Sequence, residues 1–211
     1  MRRAFIFFFL IILLLNSCDD GSYDYGLDRY YEEIVTVVES NVFLLDDGKT
    51  LFSTTGISKK IEEGERLLLH YTLLNNQTGS YDYTVRINGY ASVTAGSLKA
   101  LPQEDIISLK DDPVLFESLW IGSHFLNMQF YFNFHSETHS VGLVVDKLLL
   151  DADPIEIRFK HDTNNDLVGF PVHMYLSFDL KNVLGEPQQD KRIRIFVNTS
   201  NYGKRAYDLI Y

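Results

Sequence analysis

Apolar and polar residues alternate along most of the chain from Tyr30 onward. The alternation is clearest in four segments, 81–87, 126–134, 155–160 and 172–180. Successive side chains of a β-strand point to opposite faces, so this pattern gives each segment one apolar and one polar face. The four segments are therefore predicted to be strands of antiparallel sheets that cover a core on one side.

Five further runs have strand-forming composition with a less regular pattern: 34–38, 42–45, 66–74, 141–145 and 193–197. Short stretches rich in Gly, Asn and Asp separate these runs and are typical of turns. About ten short strands at this spacing indicate an all-β protein built from barrels or sandwiches.

Two local sequences predict more specific structures. Asn88-Gly89 follows an alternating run and is typical of a tight hairpin turn. Asp112-Pro113 favours a short helix that continues to Trp120, because Asp caps a helix and Pro suits its first position.

A domain boundary is predicted between Leu98 and Asp112. Pro102, mixed charge and weaker alternation are typical of a linker in this stretch. On this interpretation residues 30–103 form a first domain whose size suits a small closed barrel. Residues 104–211 form a second domain whose size suits an antiparallel β-sandwich.

Residues 1–17 have the composition of an export signal. A positively charged start precedes an unbroken apolar run from Ala4 to Leu15. This run is shorter than the roughly 20 apolar residues that span a bilayer. Together with Leu15, the following Asn16-Ser17-Cys18 resembles the lipobox of bacterial lipoproteins, in which cleavage between Ser17 and Cys18 exposes the cysteine for lipid attachment.

Cys18 is the only cysteine of the chain, which excludes an intramolecular disulfide and a cysteine-based metal cluster. Lipid on Cys18 would anchor the protein to the outer membrane. The alternative is an ordinary cysteine beside a signal that is cleaved elsewhere. Under the preferred interpretation, that Cys18 carries lipid, residues 18–29 are predicted to form the lipidated cysteine and a flexible tether. Acidic residues directly after the cysteine resemble the surface-export signals of Bacteroidetes lipoproteins, which favours the cell surface over a periplasm-facing body.

The charge balance narrows the range of partners. The chain has 29 acidic and 19 basic residues, and its net charge of −10 becomes −12 without residues 1–17. Nucleic-acid binding needs a basic face that neutralises phosphates, so nucleic acid is excluded as a predicted partner. The 13 tyrosines and 15 phenylalanines exclude a wholly disordered chain.

The sequence contains no established catalytic signature, such as a G-x-S-x-G elbow, a phosphate-binding glycine loop or an H-E-x-x-H helix. The single cysteine is assigned to lipid, which excludes a thiol nucleophile. Carboxylates are numerous, and chemistry that uses a pair of them stays as an alternative without specific support. We therefore predict a protein that is not an enzyme and needs no cofactor.

Two polar segments have partial metal-binding patterns. His135 and His139 have a ligand spacing that suits a helix, but they lie in a predicted loop. Asp162, Asn164 and Asp166 follow the first oxygen positions of a calcium loop, but the required Gly and final Glu are missing. Both segments are interpreted as polar turns without a metal.

The single tryptophan, Trp120, has two interpretations. A large ring followed by Ile121-Gly122 favours an anchor in the core of the second domain. An exposed ring would instead suit stacking on a sugar. The first interpretation is preferred.

Several short motifs occur in an order that resembles the NigD-like lipoproteins of Bacteroidetes. These motifs are the lipobox, Leu44-Leu45-Asp46-Asp47-Gly48-Lys49-Thr50-Leu51, Glu63-Gly64-Glu65-Arg66 before Tyr71-Thr72, Tyr81-Asp82-Tyr83, Trp120-Ile121-Gly122 with Leu126-Asn127 downstream, His139 before Val144, and Ser177-Phe178-Asp179-Leu180. The resemblance covers nearly the whole chain after the signal. It implies an N-terminal OB-type barrel followed by a C-terminal β-sandwich. It also implies bacteriocin immunity, a role that rests on gene context, and it supplies no catalytic or binding residues to transfer.

The leading hypothesis is thus a non-enzymatic, lipid-anchored envelope protein that binds a peptide or protein, with bacteriocin immunity as its implied form. An acidic anchored body could capture a cationic peptide, because opposite charges raise the encounter rate. The alternative is a structural or glycan-binding surface module that uses Trp120 and exposed tyrosines. The sequence identifies no partner-binding residues.

Overall fold

The computed structural model describes residues 29–57 and 61–211. The predicted signal 1–17, its cleavage site between Ser17 and Cys18, and the tether up to residue 28 lie outside the described residues. Within the described ranges the chain forms thirteen strands and two short helices. No helix there is both long and apolar enough to cross a membrane.

The first domain is a closed barrel of five strands, in the order β1-β2-β3-β5-β4 with β4 returning to β1. Its strands are β1 (Tyr30–Glu39), β2 (Val42–Leu45), β3 (Thr50–Ser53), β4 (Arg66–Thr78) and β5 (Tyr81–Ser92). Among the barrel pairings of the described residues, β3 with β5 is the parallel one and the others are antiparallel. Alternate residues of the strands fill the interior, with Val35, Phe43, Leu51 and Leu67 fully buried. The predicted small barrel is confirmed.

The predicted hairpin turn at Asn88-Gly89 is wrong. The β5 strand continues through both residues and pairs with β4 on either side of them. His70 opposes Gly89 and Tyr71 opposes Ile87, so Asn88 is an extra residue in a β-bulge. Its side-chain amide donates to the Thr72 hydroxyl at 2.9 Å. Bulges of this kind increase strand curvature, which a small barrel requires.

The second domain is a β-sandwich whose eight strands follow the order β13-β12-β10-β9-β6-β11-β8-β7. These strands are β6 (Thr94–Leu101), β7 (Leu115–Gly122), β8 (Phe125–Phe134), β9 (Ser140–Asp146), β10 (Ile155–Asp162), β11 (Phe170–Asp179), β12 (Arg192–Thr199) and β13 (Gly203–Ile210). Two short helices, α1 (Gln103–Ser108) and α2 (Lys181–Leu184), connect them. The predicted strands at 126–134, 155–160 and 172–180 are confirmed as β8, β10 and β11.

The β6 strand joins the two layers of the sandwich. Residues 94–97 pair in parallel with β11, and residues 98–101 pair in parallel with β9. The β10 and β12 strands are also parallel. The sandwich therefore contains both parallel and antiparallel pairs. Within the described sandwich, no hairpin connects β6 to β9 or to β11, so these pairs need not be antiparallel.

The second domain begins earlier than the sequence pattern indicated. Since β6 already belongs to the sandwich, the change of sheet falls between Ser92 and Thr94 rather than near residue 103. The helix predicted from Asp112 to Trp120 is also wrong, because β7 occupies most of that segment and pairs with β8. The Asp112 carboxylate accepts the backbone N–H and the hydroxyl of Thr163 instead of capping a helix.

A buried arginine holds the two domains together. Arg66 begins β4 of the barrel, and its guanidinium donates to both carboxylate oxygens of Asp46 at 2.6 and 2.9 Å. It also donates to Asn127 of β8 at 3.2 Å and to Ser177 of β11 at 3.0 Å. The Phe125 ring covers the guanidinium at 4.1 Å. We call Arg66, Asp46, Asn127 and Ser177 the junction cluster.

The junction cluster satisfies its own members. Asn127 donates to Asp46 at 2.8 Å and accepts from Ser177 at 2.8 Å, while Arg66, Asn127 and Ser177 are almost fully buried. Gly122 lies so close to Asp46 that a β-carbon would overlap the carboxylate. The barrel therefore packs on the sandwich through a dense polar contact.

The first prediction concerns Arg66→Met. Removing the cation leaves the partly buried carboxylate of Asp46 without its ion-pair partner, and breaking a largely buried pair in this way typically costs about 3 kcal/mol. We expect urea denaturation to show a loss of that size in the free energy of unfolding. Arg86→Met, on the exposed face of β5, is the matched control and should change stability by less than about 0.5 kcal/mol. Similar losses for both variants would contradict the assigned role of Arg66.

Candidate functional site

A groove with a volume of 490 Å³ opens where the barrel meets the sandwich. We call it the domain groove. Its walls come from β1, β2 and β4 on one side and from β7 and β8 on the other. The lining residues are Glu32, Glu33, Ile34, Leu45, Asp46, Asp47, Leu68, Trp120, Ile121 and Gln129. Asp46 belongs both to the junction cluster and to the lining of the groove. The contact that joins the two domains therefore also positions part of the groove wall.

The rim of the domain groove is acidic. Asp46 is neutralised by Arg66, and Asp47 forms an exposed ion pair with Lys49 at 2.9 Å. Glu32 and Glu33 are exposed on β1 and have no cation within salt-bridge distance among the described residues. Instead, the Glu33 carboxylate accepts a hydrogen bond from the hydroxyl of Tyr71, and the Glu32 carboxylate accepts one from the hydroxyl of Tyr175. The groove therefore has excess negative charge on its β1 side.

Trp120 lies at the groove rather than in the core of the sandwich. It pairs with Asn127 of β8, so both side chains lie on the face that meets the barrel. Its neighbours Leu119 and Ile121 pack against the sandwich core. The predicted core anchor is therefore wrong, because alternation along β7 turns the ring to the opposite face.

Tyrosines extend this aromatic surface along the barrel. An adjoining cavity of 210 Å³ shares Glu33 and Asp47 with the groove and is also lined by Tyr31, Tyr71 and Tyr83. Tyr31 stacks on Tyr71 with ring centroids 5.4 Å apart. Burial and the hydrogen bond to Glu33 raise the pKa of Tyr71, so its hydroxyl stays a donor, at 2.8 Å from that carboxylate.

Carboxylates beside aromatic faces suit the recognition of cationic groups. A Lys or Arg side chain gains Coulomb attraction from the carboxylates and cation–π attraction from Trp or Tyr rings. The same rings can also stack on the apolar face of a sugar. In both cases the groove would act by binding.

A second polar cluster lies at the far end of the sandwich. The His139 ring contacts His161 at 2.9 Å through Nδ1 and Asp166 at 3.3 Å through Nε2. Nδ1 of His161 lies 3.3 Å from the Asp112 carbonyl oxygen. That nitrogen must therefore donate, and Nε2 of neutral His161 accepts from His139. Burial lowers the pKa of His161, which favours this neutral form.

Asp166 connects two loops. Its carboxylate accepts backbone N–H groups from His135, Ser136, Glu137 and Leu167. Burial would raise the pKa of Asp166, but these hydrogen bonds outweigh burial and lower it. The carboxylate is thus a fixed anion that ties residues 135–139 to the loop before β11.

This cluster has no geometry for metal binding. His135 contributes its backbone rather than its ring, and Asp162 accepts the backbone N–H of Asn164. Across residues 29–57 and 61–211, no group of three or more His, Cys, Asp or Glu side chains could hold a metal ion. The partner of His139 is His161, which sequence analysis missed. His161 lies on the apolar face of β10, two residues after buried Phe159, and this position is the sequence signal that could have identified His161 as a buried histidine.

Two family models match the chain. A model described as the NigD-like N-terminal OB domain matches residues 34–93, and one described as the NigD-like C-terminal beta sandwich domain matches residues 96–211. These ranges agree with the barrel and the sandwich. No curated protein matches the sequence.

Crystal structures of Bacteroides proteins share this fold. A protein of unknown function from Bacteroides vulgatus has a TM-score of 0.76 and 22% identity, over 87% of this chain and 91% of that one. A NigD-like immunity protein from Bacteroides caccae has a TM-score of 0.57 and 20% identity, over 89% and 99%. A candidate lipoprotein from Bacteroides fragilis has a TM-score of 0.65 and 10% identity, over 87% and 98%. At these identities the likeness establishes the fold.

The second prediction concerns pH. His161 is held neutral in the folded state, whereas an unfolded histidine binds a proton with a pKa of about 6.5. The unfolded state therefore gains protons first, and the contribution of His161 to stability falls as pH drops from about 7.5 to about 5.5. The stabilising contribution of Asp166 is fully present throughout this range and is lost only at pH values below the ordinary carboxyl pKa, because its own pKa lies below that value.

Urea denaturation across this range should give a weaker pH dependence for His161→Phe than for the unchanged protein. His70→Gln, at an exposed position on β4, should keep the original pH dependence. An unchanged slope in His161→Phe would contradict a neutral buried His161.

Proposed function

The chain belongs to the NigD-like family, and from this premise we propose that it is a lipid-anchored envelope protein whose domain groove binds a cationic peptide. The biological role proposed for this binding is bacteriocin immunity. The observation that carries the proposal is the combination of Glu32 and Glu33 with Trp120 in one groove. No step of covalent chemistry is required.

The proposed mechanism is capture before the peptide reaches the bilayer. The body has a net charge of −12 without residues 1–17, which attracts a polycation over a distance of several Å. The groove then supplies short-range contacts, with carboxylates along β1 and an aromatic wall on β7. A lipid on Cys18 would keep the complex at the membrane.

The anchor is supported by the lipobox-like sequence around Ser17 and Cys18. A candidate lipoprotein and an immunity protein share the fold, which agrees with this assignment. We place the protein on the outer membrane with its body at the cell surface. A body facing the periplasm is the alternative.

The third prediction tests the groove with a body of residues 19–211 and an oligolysine peptide. Trp120 is the single tryptophan of the chain and lies in the groove, so its emission should change when the peptide binds. Glu32→Gln combined with Asp47→Asn should raise the Kd about five- to tenfold, because two attractive charges are lost. Added salt should weaken binding of the unchanged body.

The matched control is Glu104→Gln combined with Asp105→Asn on α1, which makes the same change in net charge away from the groove. This variant should raise the Kd less than about twofold. Equal effects of the two double variants would show that only overall charge matters. No binding at low salt would contradict the proposal.

A second candidate function is glycan binding, which the half-buried Trp120 of the groove and the tyrosines of the adjoining cavity favour. Stacking on a sugar does not depend on net charge, so salt separates the two functions. A Trp120 signal that responds to an oligosaccharide and is insensitive to salt would favour the glycan.

The fourth prediction concerns the side of the membrane. An impermeant protease added to intact cells should degrade the protein, while a periplasmic marker stays intact. Protection in intact cells with loss after lysis would instead place the body on the periplasmic side.

A further inference from the structure

Three large apolar side chains project from the end of the loop before β11 and from the first residue of that strand. Leu167, Val168 and Phe170 are 68%, 86% and 82% exposed. We call these three residues the apolar tip. Such a concentration of exposed apolar side chains typically marks a contact surface.

The apolar tip lies at one end of the sandwich. Phe170 opposes Phe134 at the end of β8, and Asp162 opposes Ser140 at the start of β9. Thr199 bridges to Val114, which places the β12–β13 turn at the same end. That turn carries Tyr202, which is 71% exposed, with the Arg205 guanidinium 5.1 Å from its ring.

The loop is fixed in shape. Asp166 accepts hydrogen bonds from the backbone of three consecutive residues of the neighbouring loop and from Leu167 itself. Its carboxylate is enclosed, with only 1% of the side chain exposed, so it does not present a charge at the tip. The tip is thus a fixed apolar projection, and an aromatic ring and a cation lie at the same end of the sandwich.

The chain enters the barrel from the direction of the apolar tip. Thr36 of β1 contacts Arg66 beside Ser177, whereas Glu32 contacts Tyr175, which is closer to Phe170 along β11. The start of β1 is therefore displaced toward the tip relative to the junction cluster.

Chain length permits the anchor to reach the plane of the tip. From Tyr175 to Phe170 the strand advances about 17 Å. The eleven residues 19–29 between Cys18 and β1 can span up to about 38 Å. A lipid on Cys18 and the apolar tip can therefore contact one bilayer together.

We propose that the apolar tip is a second membrane contact, which inserts into the same bilayer that holds the lipid of Cys18. The occupant is a lipid surface: apolar side chains enter the acyl boundary, while Tyr202 and Arg205 suit the headgroup level. The inference rests on the proposed lipid anchor. A second contact of this kind fixes the orientation of the body relative to the bilayer, in addition to its attachment.

The fifth prediction tests this contact with the full lipidated chain, purified from membranes and reconstituted in phosphatidylethanolamine and phosphatidylglycerol vesicles. One variant carries Val168→Trp. The matched control carries Leu148→Trp, at a position that is 80% exposed in the turn after β9, at the opposite end of the sandwich. The readout is the quenching of the added tryptophan by phospholipids brominated on their acyl chains.

We expect the fractional quenching at position 168 to exceed that at position 148 at least about twofold, with emission shifted to shorter wavelength. Trp120 contributes equally to both variants and is subtracted with the unchanged chain. Equal thermal unfolding of both variants confirms that each is folded.

The outcomes separate the inference from the proposed function. A chain that does not float with vesicles contradicts the lipid anchor and this contact with it. A chain that floats but shows equal quenching at both positions contradicts the membrane contact alone and leaves the tip as a surface for another protein.

Discussion

The arrangement of the two domains depends on one buried cation. Arg66 is almost fully enclosed, so its charge must be compensated inside the protein. Asp46 of the barrel supplies the opposite charge, while Asn127 and Ser177 of the sandwich complete the hydrogen bonds. The barrel and the sandwich each carry part of a polar set that is satisfied only when they meet. The domain groove is a by-product of that fixed contact, because it opens beside Asp46.

Much of the fold is visible in local patterns of the sequence. The β8, β10 and β11 strands each pack one face on the core. The alternation of apolar and polar residues in their sequences therefore predicts these strands directly. The β6 strand escaped prediction because small and charged residues in 94–101 give it little alternation. The β7 strand was obscured by Asp112-Pro113, whose helix-starting preference is overridden by pairing with β8.

The candidate site was much less predictable, because it consists of distant residues. Arg66 looks like an ordinary charge at the start of a strand, and Asp46 looks like a turn residue. Their pairing, and the contact with Asn127, are set by the packing of one domain on another. Trp120 was misplaced for a related reason, since a β-bulge near Ser118 changes which face of β7 its residues occupy. The groove residue Gln129 opposes Tyr175, about 17 Å along β11 from Phe170, so a body resting on its tip would hold the groove away from the lipid.

The position of β6 has a consequence for how the chain acquires its structure. Its two halves pair with residues 143–146 and 176–179, both far downstream in the sequence. Neither layer of the sandwich can close until those segments are present, and long intervening loops must first be ordered. Folding of the second domain is thus a late and cooperative event. A partly synthesised chain therefore lacks both neighbours of its central strand, and β6 stays unpaired on one edge until residues 176–179 are available.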